Sequence, residues 1–307
     1  MAQKIFVILG PTASGKTSLG IELAQENNGA VISADSRQIY AGLNIGTAKP
    51  KQAWKEESHS IDKPDVIDSI DHYLLNIRSP KETYTASDWQ RDANVCIKQI
   101  LAQNKQPIIV GGTMLYIDSI VFNFTMPAVS PNPALRQQLD SLSTEELQQR
   151  LQEKDPAVFN FIELHHRQRM IRALEVIEAT GKKFSELRTK QPSPYEFEII
   201  GLFPGWETLE NRVTDRIHDM LADGLSDEVK ALREKYGREL PLLKTINYAE
   251  TARFIDNELT EADAMAEMIR ANMRYAHRQM SWWKRNKDIK WFESATQALP
   301  TFSSTNP

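Results

Sequence analysis

The run Lys4-Ile-Phe-Val-Ile-Leu-Gly10 passes directly into Pro11-Thr-Ala-Ser-Gly15-Lys16-Thr17, and this junction constrains the fold more than any other stretch of the chain. Five consecutive apolar residues, Ile5 to Leu9, read as a strand buried on both faces. Glycine and proline then break the strand, and a helix is predicted from Thr17 to Asn27, with Leu19, Leu23 and Ala24 on one face. Between strand and helix the glycines let backbone N–H groups curl around phosphate oxygens. Lys16 supplies a point charge, Thr17 a hydroxyl for Mg²⁺, and the helix its positive end. Gly10, Pro11, Thr12, Ala13, Ser14, Gly15, Lys16 and Thr17 are therefore the expected phosphate-binding residues, with Thr17 the expected metal ligand.

Further along, Ala30–Ala34 and Pro107–Val110 read as strands, the latter ending at Gly111-Gly112. A long helix is predicted from Thr85 to Asn104. Its apolar residues Trp89, Ala93, Cys96, Ile97 and Ile100 recur at helical spacing, and Thr85 with Asp88 makes a capping box. Cys96 on that face reads as core. Strands alternating with helices predict an α/β fold, a parallel sheet with a phosphate-binding loop and helices on both faces. After about Phe124 the pattern changes. From Pro131 to Thr189 the signals are helical: a capping box at Ser143–Glu146, an N-cap and proline at Asp155-Pro156, and the stripe Met170, Leu174, Ile177 stopping at Gly181. Strand character returns at Phe197–Phe203. Helices are then expected over Trp206–Tyr236 and Thr260–Asn286, with a last strand at Ile289–Phe292. The expected organisation is an α/β core of residues 1–125 and 195–307, interrupted by an all-helical insertion domain at 126–194. The polar tail from Thr301 is expected to be loose.

Among the 307 residues there is one cysteine, which excludes a disulfide framework or a multi-cysteine zinc site. The N-terminal apolar run is too short for an export signal, and no stretch approaches the roughly 18 apolar residues that span a bilayer. A cytoplasmic monomer with no membrane contact is the expectation. The net charge of −4 argues mildly against a nucleic-acid partner. The charge is uneven, however: Arg270, Arg274, Arg278, Lys284, Arg285, Lys287 and Lys290 face only Asp288 within their stretch, and Arg167–Lys190 is also basic. Local basic surface on an acidic protein is compatible with RNA.

The phosphate loop does not name a reaction. Most such loops bind ATP or another nucleotide, with an acidic residue closing a third strand to hold Mg²⁺. Here that strand ends in Gly111-Gly112-Thr113, and Asn104-Lys105-Gln106-Pro107 lacks the aspartate of a GTPase base reader. Two other segments are more telling. Asp35-Ser-Arg-Gln38-Ile-Tyr40, continuing to Ile45-Gly46-Thr47-Ala48-Lys49-Pro50, resembles the second signature of the tRNA dimethylallyltransferase family. Val110-Gly111-Gly112-Thr113-Met114-Leu115-Tyr116 resembles its third. Asp71–Leu74, Tyr84–Asp88 and Gln168–Glu175 are similar to further blocks in the same order.

The resemblance implies transfer of a dimethylallyl group from dimethylallyl diphosphate to N6 of adenosine 37, beside the anticodon of a tRNA. Mg²⁺ and the phosphate loop would hold the diphosphate, with Arg212 and Arg216 as further cations on one helix face. The exocyclic N6 is a poor nucleophile, so a carboxylate is needed for its proton. Asp35, at the carboxyl end of the second strand, is the candidate base. Thr113 is expected in the same crevice, at the reacting end of the substrate. Asp35, Ser36, Arg37, Gln38 and Thr113 would meet the target base. Arg136, together with Gln168, Arg169, Met170, Ile171 and Arg172, would meet the anticodon stem-loop. In Lys244-Thr-Ile-Asn247-Tyr248-Ala249 the chain departs from the family, which has Gly before the Tyr and a basic residue after it; Lys244 and Tyr248 are the RNA contacts carried over. The competing readings are a nucleotide or small-molecule kinase on the same fold, which consumes ATP, and a non-catalytic RNA-binding module.

Overall fold

The apolar run ahead of the glycine loop forms an interior strand, β1 (Gln3–Leu9), in which Ile5 to Leu9 are all buried. The computed structural model describes residues 3–302 apart from 126, 128, 130, 161, 164 and 188. From β1 the chain enters α1 (Lys16–Glu26), then β2 (Gly29–Ala34), a hairpin of β3 (Asp65–Ile67) and β4 (Ile70–Tyr73), α2 (Ala86–Ala102), β5 (Gln106–Gly111) and α3 (Met114–Val121). Four helices follow: α4 (Pro133–Asp140), α5 (Thr144–Lys154), α6 (Arg167–Thr180) and α7 (Phe184–Leu187). The chain then forms β6 (Tyr195–Leu202), α8 (Trp206–Ala222), α9 (Leu225–Tyr236), α10 (Tyr248–Ile255), α11 (Glu261–Trp283), β7 (Lys290–Phe292) and α12 (Ala295–Phe302). Two compact units result, Met1–Ile117 with Pro194–Pro307, and Asp118–Ser193.

The first unit is built on one seven-stranded sheet of order β3-β4-β2-β5-β1-β6-β7. Every neighbouring pair is parallel except β3 with β4. Alternate residues of an interior strand point to opposite faces, and both faces here are covered. Phe6, Ile8, Val31, Ile108 and Val110 pack with Leu19 and Leu23 of α1 and with Phe302 of α12. On the other parity, Ile5, Val7, Ile32 and Ile109 are fully buried; Trp89 of α2 donates its indole N–H to Ser33 O at 2.9 Å. The Thr85–Asp88 capping box that starts α2 is present in both directions. Cys96 is buried, and that burial pushes its thiol up to about 12, so it is core.

Three features differ from the sequence reading. The β3–β4 hairpin was not expected. Its turn residues Asp68 and Ser69 both carry positive φ, 50° and 66°, as a primed two-residue turn requires, but without the glycine that usually signals one. The helical stretch Trp206–Tyr236 is two helices, because Gly224 takes a left-handed φ of 95° between α8 and α9. The tail is not loose from Thr301: Thr301 and Phe302 end α12, and the Phe302 ring packs edge-on against Phe6 and Phe292. Residues 303–307 lie outside the described residues. Among the described residues no helix is long and apolar enough to cross a membrane.

The second unit has its own core, in which Leu139, Leu147, Leu151, Met170, Leu174 and Ile177 meet. Ser143 and Glu146 form the capping box of α5, and Gly181 closes α6 with φ 66°. Asp155 begins a short 3-10 turn, but its buried carboxylate accepts from Ser185 N and Oγ at 2.8 and 2.7 Å instead of from the turn that follows it. Glu175, fully buried on α6, joins three donors. Arg136 Nε and Nη2 approach its two oxygens at 2.9 and 3.0 Å, Arg172 Nη1 at 2.5 Å, and Asn132 N at 2.6 Å.

Burial opposes ionisation of Glu175, but the hydrogen bonds from Arg136, Asn132 N–H and Arg172 overcome it and hold the carboxyl down at about 2. Its folded pKa is below the usual 4.5, so the stabilisation is complete above 4.5 and is lost as pH falls from there toward about 2. Glu175→Gln is expected to destabilise this unit at neutral pH by about 3 kcal/mol, the lower end for a broken buried pair because both arginines can turn to solvent. Denaturant titrations at neutral pH and near pH 3 check this; the wild-type excess over the variant should shrink in acid, and an equal excess at both pH values would contradict it.

Candidate active site

The three neighbouring strands β2, β5 and β1 end side by side, and each carries one of the chemically suggestive segments from its carboxyl end. β1 delivers the loop Gly10–Gly15, β2 delivers Asp35, and β5 delivers Gly112-Thr113. This is the edge of an open α/β sheet at which ligands bind. The loops are also bonded to one another. Thr113 N donates to Ala34 O at 3.0 Å, and Thr113 Oγ1 accepts from Ser36 N at 2.9 Å. Asp35 Oδ1 accepts from Arg37 N at 2.8 Å and from Gln38 N at 3.3 Å, so the carboxylate is fixed by its own turn. Among the described residues no hydrogen-bond donor is assigned to Oδ2. Gln38 is half-buried, and its Nε2 donates to Thr47 O and Ala48 O at 3.1 and 3.3 Å.

Residues beyond the motifs complete the edge. Gln279 of α11, 1% exposed, accepts from Thr12 N with Oε1 at 3.0 Å and donates from Nε2 to Gly112 O at 2.8 Å. One amide thus joins the phosphate loop to the Thr113 loop. The approach requires glycine at 112, where a Cβ would stand 2.5 Å from Gln279 Nε2. One turn earlier, Tyr275 Oη donates to Gly112 O at 3.3 Å. Burial, with the nearby Asp35 charge, pushes the Tyr275 phenol up to about 12. The sequence reading missed both residues, because it took this part of α11 as a basic stretch. A usable signal was present: Gln279 falls on the buried stripe Ala264, Met268, Ala271, Ala276, Met280, where a polar residue needs partners.

The electrostatics are those of a site arranged for an anion. Lys16 Nζ donates to Pro11 O at 2.6 Å. Burial and then the Arg216 charge lower its pKa to about 7, against an opposing pull from Asp35. Arg216 Nη1 donates to Thr12 Oγ1 at 3.3 Å, and burial lowers its pKa as well. Arg212 is exposed, and its Nη1 lies 3.9 Å from where a Cβ on Gly15 would stand. Ser14, 2% exposed, has a buried Oγ with no hydrogen-bond partner among the described residues. Thr17 is exposed in the first turn of α1. Clustered cations and an unsatisfied buried hydroxyl at the start of a helix are what diphosphate oxygens would satisfy.

The other sequence-predicted contacts are placed less uniformly. Gln168 and Arg169 are exposed on α6, but Met170 and Ile171, 0% and 2% exposed, are core residues of the helical unit whose side chains offer RNA no surface. Arg136 and Arg172 are tied to Glu175. Lys244 is exposed beside Glu239. Tyr248, 1% exposed, is no surface residue either: its hydroxyl donates to Glu228 Oε1 at 2.6 Å. The departure at Asn247 has a physical account. The position takes φ 72°, which glycine adopts freely and asparagine tolerates, and the asparagine side chain adds bonds to Gly46 O and from Asn272. Arg37 is exposed, on the rim of the Asp35 turn.

The chain matches the IPP transferase family over residues 38–286 and the isopentenyl transferase family over residues 3–61. A tRNA dimethylallyltransferase of Thermosynechococcus vestitus is 40% identical over 293 residues, covering 95% of this chain and 90% of that protein. One from Geobacillus kaustophilus is 38% identical, with 95% and 91% covered. Among solved structures, a tRNA isopentenylpyrophosphate transferase from Bacillus halodurans superposes with a TM-score of 0.70 at 30% identity, covering 99% of this chain and 95% of that one. A eukaryotic dimethylallyltransferase acting on tRNA gives a TM-score of 0.79 at 26% identity, with 98% and 77% covered.

An anion against the loop favours the charged form of Lys16, whose pKa is about 7 without one. Pyrophosphate binding near pH 8 is therefore expected to draw a proton onto the protein. Calorimetry in buffers of different ionisation enthalpy should show that uptake in the wild type and its loss in Lys16→Met. Affinity should fall at least about tenfold, the worth of one charge-assisted bond. Equal uptake by both proteins would put the ammonium outside the anion site.

Proposed function

Because the chain belongs to the IPP transferase family of tRNA dimethylallyltransferases, and so transfers a prenyl group to tRNA, we propose that the three strand ends are where donor and acceptor meet. The kinase and binding-module readings are set aside by that membership. In the proposed reaction, dimethylallyl diphosphate lies with its phosphates in the Gly10–Gly15 loop. N6 of adenosine 37 attacks the allylic carbon, the carbon–oxygen bond breaks, and diphosphate leaves with the bonding pair. The N6 proton passes to Asp35. The observation that carries this reading is the adjacency of β1, β5 and β2. It sets an anion site and a carboxylate at one sheet edge, joined through Gln279 and Thr113.

Each role follows from local chemistry. Lys16, Arg216 and the Ser14 hydroxyl would stabilise the charge that grows on the leaving oxygen, with Arg212 at the rim. Asp35 keeps Oδ1 on its own turn, which leaves Oδ2 to take the proton. Thr113 holds the Asp35 turn through Ser36 N and is a positioning residue there. The exposed Thr17 hydroxyl fits Mg²⁺, a hard cation that takes one or two protein oxygens and completes its shell with phosphate and water. When bound, the ion would neutralise charge on the leaving diphosphate. The target base has to leave its stack to reach this edge, where Gln38 and Ser36 line the Asp35 turn. Gln168 and Arg169 on α6 are the proposed contacts of the helical unit with the anticodon stem-loop. Arg270, Arg274 and Arg278 are exposed on α11 at successive turns and would meet RNA phosphates on the other unit.

Incubating the protein with tRNA and dimethylallyl diphosphate is expected to give N6-prenylated adenosine at position 37 in the digested tRNA. ATP offered in its place should give no product. Prenyl product at another nucleoside, or turnover of ATP alone, would contradict the proposal. tRNA affinity should fall steeply with salt despite the net charge of −4. Arg274→Ala is expected to reduce the slope of log affinity against log salt by about 0.7–0.9, one phosphate contact. An unchanged slope would make the α11 arginines a solvated face.

A further inference from the structure

Glu228 of α9 is outside the residues assigned above, yet its carboxylate is filled by four donors. Oε2 accepts from Asn44 N at 3.0 Å and Ile45 N at 2.8 Å. Oε1 accepts from Gly46 N at 3.2 Å and from Tyr248 Oη at 2.6 Å. Successive backbone N–H groups converging on one anion form a nest, here built around a side chain of the protein itself. The loop is backed on a second side by α10. The Tyr248 ring occupies the space beside residue 46, where a Cβ would meet Cε2 and Cζ at 2.6 Å, so only glycine fits. Asn247 Nδ2 donates to Gly46 O at 2.9 Å and its Oδ1 accepts from Asn272 Nδ2 at 2.8 Å. On a third side, buried Lys49 donates from Nζ to Tyr40 O, Asn44 Oδ1 and Asn76 Oδ1 at 2.9, 3.1 and 2.5 Å.

This loop carries Thr47 and Ala48, the two carbonyls that hold the Gln38 amide. Both partners are acceptors, so only the NH₂ end of the amide can face them, and Oε1 is turned the other way. The backbone N–H of Gln38 is meanwhile held by Asp35 Oδ1. Gln38 is therefore gripped between the proposed base and the loop that Glu228 gathers. With its donors committed, it presents an acceptor. An acceptor complements the exocyclic amino group of adenine and repels the keto oxygen that guanine carries at the same ring position.

We propose that Glu228 is a positioning residue for recognition of the target base: by gathering Asn44–Gly46 around its carboxylate it fixes the Thr47 and Ala48 carbonyls and so sets the polarity of the Gln38 amide. The inference rests on the reading of Asp35–Gln38 as the place where the base enters. Glu228→Gln puts an amide NH₂ against N–H donors and loosens the loop.

Steady-state prenyl transfer with tRNA and dimethylallyl diphosphate varied separately tests the role. Glu228→Gln is expected to raise KM for tRNA about tenfold, as for loss of hydrogen bonds to a charged group. KM for the donor, and pyrophosphate affinity, should stay at wild-type values. Gln38→Ala should also raise KM for tRNA, and adding Glu228→Gln to it should cost nothing more, because the effect passes through Gln38. Tyr248→Phe removes one of the four bonds, should act in the same direction more weakly, and runs the same cycle if Glu228→Gln does not fold. An equal rise in donor KM, or full additivity with Gln38→Ala in a wild type that does prenylate tRNA, would overturn the positioning role alone. Absence of transfer by the wild type would overturn the base-site reading together with it.

Discussion

Lateral pairing of β2, β5 and β1 is the constraint on which the rest depends. Neighbouring strands are held about 4.8 Å apart by their backbone hydrogen bonds, and parallel strands all finish at the same edge. The register Ala34↔Gly111 and Leu9↔Gly111 therefore brings the starts of three loops together before any side chain acts. What the side chains add is a lock. Thr113 reaches one way to Ser36, and Gln279 reaches between Thr12 and Gly112. A buried amide with both ends bonded costs little to keep and much to break, since either orphaned backbone group would lose its partner in a dry environment.

The electrostatics are held by that frame. Lys16 and Arg216 are neighbouring cations; burial lowers the basicity of both, and the Arg216 charge adds to the effect on Lys16. An isolated pair of this kind would splay apart. Here Pro11 O and Thr12 Oγ1 hold the two groups, so the stored repulsion is relieved when an anion arrives. The Asp35 charge acts on Lys16 in the opposing direction. The Asp35 turn supplies two backbone N–H groups to Oδ1 and so fixes the carboxylate in place.

Much of this was legible in the chain. The strand–glycine loop–helix junction, the parallel sheet and the Asp35 and Thr113 segments all lie in contiguous residues, and local patterns report contiguous structure. Several of the failures concern who meets whom across long sequence separations, and others are local. Glu228 and Gly46 are far apart in the chain, and nothing at either position announces the other. Tyr248 reads as an RNA contact through the family resemblance, whereas here the half-buried Glu228 carboxylate takes its hydroxyl. Met170 and Ile171 follow the exposed Gln168 and Arg169, and helical periodicity already turned them inward. Arg136 and Arg172 look like free cations until Glu175, itself buried, is found between them. The β3–β4 hairpin was hidden because its turn uses Asp68-Ser69 without a glycine.

The central claim is that Asp35 takes the proton from the attacking amine at the edge these strands create. The asparagine of the Asp35→Asn variant keeps the size and one acceptor oxygen, so the turn survives while the proton acceptor is lost. Single-turnover prenyl transfer with saturating enzyme isolates that step from product release. The transfer rate of Asp35→Asn is expected to fall by about 10²–10⁴-fold, the usual worth of general acid–base catalysis, with a much smaller change in tRNA affinity. A wild-type single-turnover rate in Asp35→Asn would contradict it and leave Asp35 as the cap of its own turn.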